Sequence, residues 1–183
     1  AYRSMDVIAN NLPNASTPAF KRESVQFEEM VTQVTPSEGQ IGPQNVSFVK
    51  DTGVLRDLTQ GSLETTNAPF DVAISGKGYM VIQTPQGNRY TRNGHFSLDP
   101  NGQLVTSDGQ PVLGDGGAIT ITPDDGDVHI AADGTVSGKN GDIGKLQLVD
   151  FPDERAMTKI GASLYSTTQA PVTSEDGSFQ QGM

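Results

Sequence analysis

The apolar positions at the start of the chain follow a helical spacing. Ala1, Met5, Ile8 and Leu12 stand four, three and four residues apart, the a/d seam of a heptad. Pro13 ends the pattern, because the residue before a proline is pushed out of the helical region. Asn10 and Asn11 suit the last helical positions, being tolerant of the left-handed conformation. The seam covers less than two heptads and fits two arrangements: a helix lying on a local core, or a seam shared between chains. Length favours the second, since an isolated helix this short is marginal in water, and the pattern is already in register at Ala1.

Residues 14–69 read as irregular. Thr17-Pro18 can open a helix through Phe20, Val25, Phe27 and Met30, while Val25 and Phe27 also alternate as in a strand, so both readings stay open. Residues 35–45 hold Pro36, Gly39, Gly42 and Pro43 and predict a loop.

From Phe70 the texture changes to short alternating runs punctuated by turns. Val72 and Ile74 alternate, Ser75-Gly76-Lys77-Gly78 turns the chain into residues 79–84, and Pro85-Gln86-Gly87-Asn88 turns it again. Asn93-Gly94 carries the strongest two-residue hairpin signal, with positive φ expected at both positions. Pro100-Asn101-Gly102 and Asp108-Gly109 continue the series, followed by the pairs Ile119/Ile121, Val128/Ile130 and Leu146/Leu148. A short helix is predicted over 153–160, with Asp153 as N-cap and Gly161 past its end. The fold class is mainly β: an antiparallel domain of short strands, barrel- or sandwich-like, behind an N-terminal helix and an irregular linker.

Composition narrows the chemistry. Among 183 residues there is no cysteine, which removes disulfides and thiol-based sites, and His95 and His129 are the sole histidines. With 21 glycines and 11 prolines, turns take up much of the chain. Hydrophobic residues make up 34%, but they cluster in alternating runs, which argues against wholesale disorder. A net charge of −10 repels phosphate backbones and anionic lipid, so nucleic acid and membrane surfaces are poor partners. Apolar stretches such as Tyr79-Met80-Val81-Ile82 are too short to span a bilayer. No signal-peptide pattern is visible, and a chain beginning at Ala1 reads as a piece of something longer.

Candidate reactive groups find blander roles. Asp99, Asp108, Asp133 and Asp176 all sit in or beside glycine-containing turns, where aspartate caps backbone N–H groups. Asp124-Asp125-Gly126-Asp127 resembles a calcium loop in composition but lacks the spacing and the distal glutamate. Gly76-Lys77-Gly78 precedes a strand where a phosphate loop needs a helix. His95 has no second histidine or cysteine nearby, and Arg89, Tyr90 and Arg92 form too small a patch for nucleic acid. No catalytic, cofactor or metal residues are assigned. A β-rich carbohydrate-binding module needs aromatic platforms and convergent carboxylates, and the chain has no tryptophan.

Two blocks carry a family resemblance. Met5-Asp6-Val7-Ile8-Ala9-Asn10-Asn11-Leu12-Pro13-Asn14-Ala15-Ser16-Thr17-Pro18-Ala19-Phe20-Lys21 resembles the N-terminal signature of bacterial flagellar rod and hook axial proteins, with Pro13 in place of the usual alanine. Asp71-Val72-Ala73-Ile74, Gly76-Lys77-Gly78-Tyr79, Tyr90-Thr91-Arg92-Asn93-Gly94-His95-Phe96-Ser97-Leu98-Asp99 and Gly102-Gln103-Leu104-Val105-Thr106 match its β block. The likeness is greatest to proximal rod subunits, with distal rod and hook-type subunits as rivals. It implies a structural subunit that is not an enzyme and has no cofactor, small-molecule substrate or nucleic-acid partner. Its partners are other rod subunits in a helical assembly in the basal body and the type III export apparatus, with export needing no cleaved signal.

On the same resemblance the chain divides into four parts. Residues 1–30 are the helix and arm of the rod core, 31–69 an irregular connection, 70–165 the central β domain, and 166–183 a return toward a C-terminal helix beyond Met183. Assembly contacts are expected at Met5, Ile8, Asn10, Asn11 and Leu12, and this 183-residue chain by itself is expected to be monomeric.

Overall fold

A computed structural model describes residues 2–13, 22–34, 44–56, 61, 63–161 and 163–183. The chain forms two compact units, Ala1–Ser16 with Lys21–Leu58, and Thr17–Phe20 with Thr59–Met183.

In the first unit, helix α1 spans Tyr2–Asn11 and closes with the Leu12 N–H donating to the Ile8 carbonyl at 3.0 Å. It ends before Pro13 without a left-handed residue; among the described non-glycine residues, positive φ belongs to Asn67. Strands β1 (Glu23–Val34) and β2 (Gln44–Arg56) form an antiparallel ribbon, with Glu23 opposite Arg56 and Val34 opposite Gln44. The open choice at Val25 and Phe27 therefore resolves as strand. The irregular connection expected over 31–69 is corrected by β2, which occupies much of it. A bulge explains why β2 was not legible: Gln26 faces Gly53 and Phe27 faces Asp51, so Thr52 is an extra residue that breaks the alternation. Of the loop expected over 35–45, Gln44 and Asn45 belong to β2, and the rest lies outside the described residues.

The second unit contains short antiparallel strands. These are β3 (Val72–Ser75), β4 (Tyr79–Thr84), β5 (Gly87–Thr91), β6 (Phe96–Leu98), β7 (Leu104–Thr106), β8 (Val112–Gly114) and β9 (Gly117–Ala118). They continue as β10 (His129–Ile130), β11 (Thr135–Gly138), β12 (Gly141–Lys145), β13 (Leu148–Asp150), β14 (Thr158–Ile160), β15 (Leu164–Ser166), β16 (Val172–Thr173) and β17 (Ser178–Gln181). The main sheet runs β14-β15-β5-β4-β13-β16, with β8 also pairing β4 and then β9. The sequence β10-β11-β12 forms a second sheet, while β6-β7 and β17-β3 form two-stranded pairs. The sheets remain separate and do not close into a barrel, which corrects that half of the expectation.

Strand β4 is central because both of its faces are buried. Met80 and Ile82 point into a core with Val72, Phe96, Leu104 and Phe179, while Tyr79 and Val81 point to the other side, against Tyr90, Phe151, Met157 and Tyr165. Alternation by two places successive side chains on opposite faces, so a continuous apolar run suits a strand covered on both. Burying side chains as fully as Met80 and Ile82 is worth about 1.5–3 kcal/mol each. The second core is aromatic, with Tyr90 and Phe151 edge-on at 4.6 Å between centroids.

Two local expectations are corrected. The helix expected over 153–160 is a single 3-10 turn at Glu154–Ala156, capped by Asp153 accepting from the Arg155 N–H. From Thr158 the chain is strand β14, because pairing with β15 outweighs local helix propensity. Asn93-Gly94 is not a hairpin either. Strand β5 before it pairs with β4 and β15, strand β6 after it pairs with β7, and neither residue has positive φ. Glycine is required there for contact: the Val72 N–H donates to the Gly94 carbonyl at 2.9 Å, and a Cβ at Gly94 would overlap the Val72 carbonyl.

Candidate assembly surface

Helix α1 presents two unlike faces. Met5, Ile8 and Leu12 are 69%, 62% and 76% exposed, while Val7 and Asn11, one turn apart, are half-buried. The helix lies against β1 of its own unit. The heptad positions thus form an apolar stripe in solvent, and the helix uses other positions for its local contacts. Asn10 lies within the helix and Asn11 is its last residue.

Three of the candidate aspartates of the second unit hold turns. Asp99 accepts from the backbone N–H groups of Asn101 and Gln103, both at 2.8 Å. Asp133 accepts from the Thr135 N–H at 3.0 Å and hydroxyl at 2.9 Å, and from the Lys145 ammonium at 3.2 Å. Asp125, in the segment that resembles a calcium loop, accepts from the Thr122 N–H and hydroxyl, both at 2.7 Å. Asp108 lies in the turn after β7 and Asp176 in the bend before β17. Among the described residues, no group of three or more His, Asp or Glu side chains is placed to hold a metal ion.

These bonds have a titration signature. Backbone N–H donors, led by that of Gln103 for Asp99, Thr122 for Asp125 and Thr135 for Asp133, hold all three carboxyls below the usual value near 3.8. A depressed folded pKa contributes stability that is complete above the unfolded value and is lost as pH falls through the folded one. The melting temperature should therefore hold down to about pH 4 and drop below it. The triple variant Asp99→Asn, Asp125→Asn, Asp133→Asn should start lower and fall less steeply; equal slopes in acid would show that the turns do not carry this linkage.

The basic-aromatic group divides. The Arg92 guanidinium donates to the carbonyls of Gly78 (2.7 Å), Gly76 (2.8 Å) and Ile74 (3.4 Å) and lies 5.8 Å from the Tyr79 ring centroid. It thereby fixes the Gly76-Lys77-Gly78 turn between β3 and β4, while Arg89 donates to the adjacent Asn88 carbonyl. The Tyr79 hydroxyl donates to Glu154 at 3.1 Å; burial, then the Glu154 charge, pushes its pKa up. Sequence spacing did not reveal the partner of His95, whose Nδ1 lies 2.6 Å from the buried Asp71 carboxylate.

The two ends of the second unit meet. Strand β17 pairs with β3, and the Gly182 carbonyl accepts from the N–H groups of Thr66 (2.8 Å) and Asn67 (3.2 Å), so the chain does return to where it came in.

Residues 73–138 match the family described as flagellar hook protein FlgE/F/G D1 domain. The flagellar basal-body rod protein FlgF of Caulobacter vibrioides is 41% identical over 99% of this chain and 74% of its own length. FlgG of Buchnera aphidicola from Acyrthosiphon pisum is 37% identical over 91% of this chain and 69% of its length. FlgF of Escherichia coli K12 is 40% identical over 78% of this chain and 57% of its length. The chain belongs to the flagellar basal-body rod protein family and is a structural rod subunit of the basal body. Nothing in these similarities supports the carbohydrate-binding alternative.

Proposed function

We propose that this chain takes a place in the proximal part of the rod and assembles helically with other rod subunits through the α1 stripe of Met5, Ile8 and Leu12, with Asn10 beside it, while the half-buried Asn11 serves the helix's own unit. The observation that carries the reading is the exposure of that stripe while Val7 and Asn11 turn inward. An apolar stripe of heptad spacing finds its complement in further helices, and open, heterologous contacts build a filament where closed ones build a ring. The role is structural and involves no catalysis. The β1–β2 ribbon supports the same reading, because a two-stranded ribbon is at best marginal in water without neighbours to cover it.

Export fits the same physics. A helix and ribbon of low independent stability pass the type III apparatus unfolded, without a cleaved signal, and fold when neighbours cover them along the periplasm-spanning rod. The charge of −10 keeps unassembled subunits apart. Because one short stripe cannot hold a complex, this chain alone should sediment at equilibrium as a monomer at micromolar concentration. A stable oligomer that persists after residues 1–58 are removed would overturn this placement of the main contacts.

A further inference from the structure

Strand β3 finds its partner at the far end of the chain: Val72 faces Gln181 and Ser75 faces Ser178. The bonds around this pair reach well beyond the ladder. The Gln181 amide donates to the carbonyls of Pro69 (2.7 Å) and Val128 (2.9 Å) and accepts from the Ile130 N–H (3.0 Å), standing in for a further strand beside β10. The Phe179 N–H donates to the Ala132 carbonyl at 2.9 Å, and the Gly182 N–H donates to that of Asp71 at 2.7 Å. The Phe179 ring is buried in a seat cut to fit it, because a Cβ on Gly134 would come within 2.7 Å of the ring.

The tether that delivers this strand is of another character. Residues 170–173, 175 and 176 are exposed; β16 pairs along β13, and Ser174 donates to the Leu148 and Lys77 carbonyls, each at 3.0 Å. The aromatic core around Tyr79, Tyr90 and Phe151 draws no residue from β3 or β17.

We propose that the groove between β3, the turn at Ala132–Gly134 and β10 is a strand-binding site, closed by the chain's own residues 178–182. Main-chain pairing supplies the affinity and the Phe179 seat supplies the selectivity, as in other strand-addition sites. Because an exposed tether delivers it and the aromatic core takes nothing from it, β17 acts as a latch. The β3 side stays open until residue 182 is in place, while the main sheet is held by its second core.

Native-state hydrogen exchange on the intact chain is the first test. The amides of Phe179 and Gly182, which donate to Ala132 and Asp71, should exchange at least about tenfold faster than those of Val81, Ile82 and Tyr90, through opening of the latch alone. Equal rates in the two groups would mean one cooperative unit and would overturn the proposal. A peptide of residues 174–183 is the second probe. Added to the Phe179→Ala chain, it should raise the melting temperature with concentration, and the peptide carrying the same replacement should leave it unchanged. Loss of the entire β-sheet signal in the Phe179→Ala chain, or failure of the unmodified peptide to act, would also overturn the latch.

Discussion

Replacing Gly94 with valine should lower the stability of the second unit by about 3 kcal/mol, the upper end of the usual cost of overpacking, because the new side chain has nowhere to go. The first atom beyond Cα would already overlap the Val72 carbonyl, whose residue also donates its N–H to the Gly94 carbonyl at 2.9 Å. Relief requires the two segments to separate, which breaks that bond and lifts Val72, nearly fully buried, from the core. Thermal melts should drop by roughly 10 °C. The cause is contact and not a left-handed backbone, which sets a sharper test. Asparagine tolerates positive φ but still carries a Cβ, so Gly94→Asn should be as damaging as Gly94→Val, and Gly94→Ala should be nearly so. Gly87, at φ +99° with open space around it, is the control, and Gly87→Asn should be mild. A harmless Gly94→Asn would show that backbone conformation and not crowding selects glycine there.

Gly94 marks the boundary of what the sequence makes legible. Turn chemistry is local, so the hairpin at Pro85-Gln86, the caps at Asp99 and Asp133 and the continuous apolar run of β4 are all readable from neighbouring residues. An Asn-Gly pair is equally local in its signal, yet here a distant segment presses on it, and no period within the chain encodes that. The same holds for Arg92, which reads as part of a small basic patch and is spent on three carbonyls 14 to 18 residues away. Asp71 and His95 lie 24 residues apart, and the β1–β2 ribbon hides its partner behind a one-residue bulge. The segment after Asp153 shows the opposite failure, where a genuine cap starts a turn that sheet pairing then cuts short. On the assembly surface, the heptad spacing of Met5, Ile8 and Leu12 is fully visible in sequence. Which face the helix spends on its own unit is not, and the half-burial of Val7 and Asn11 supplies that.

A glutamate at Ile8 should separate folding from assembly. Ile8 is 62% exposed in the single chain, so Ile8→Glu leaves a charge in water and should change stability by no more than about 0.5 kcal/mol. The second unit keeps its own two cores and should melt unchanged. In the rod, on the reading proposed above, the same position is covered by a neighbour's helix. A carboxylate there is stripped of water without a partner, and an uncompensated buried charge costs about 3–5 kcal/mol. That penalty recurs at every subunit of the assembly, so a strain whose full-length protein carries Ile8→Glu should be non-motile, with basal bodies that stop before the distal rod. Met5→Glu and Leu12→Glu share the stripe and should behave alike. Substitution of the inward Val7 should instead lower the stability of the helix against its ribbon. Motility retained in the Ile8→Glu strain, together with a large loss of stability in the isolated chain, would make Ile8 an ordinary local packing residue and move the assembly contacts elsewhere.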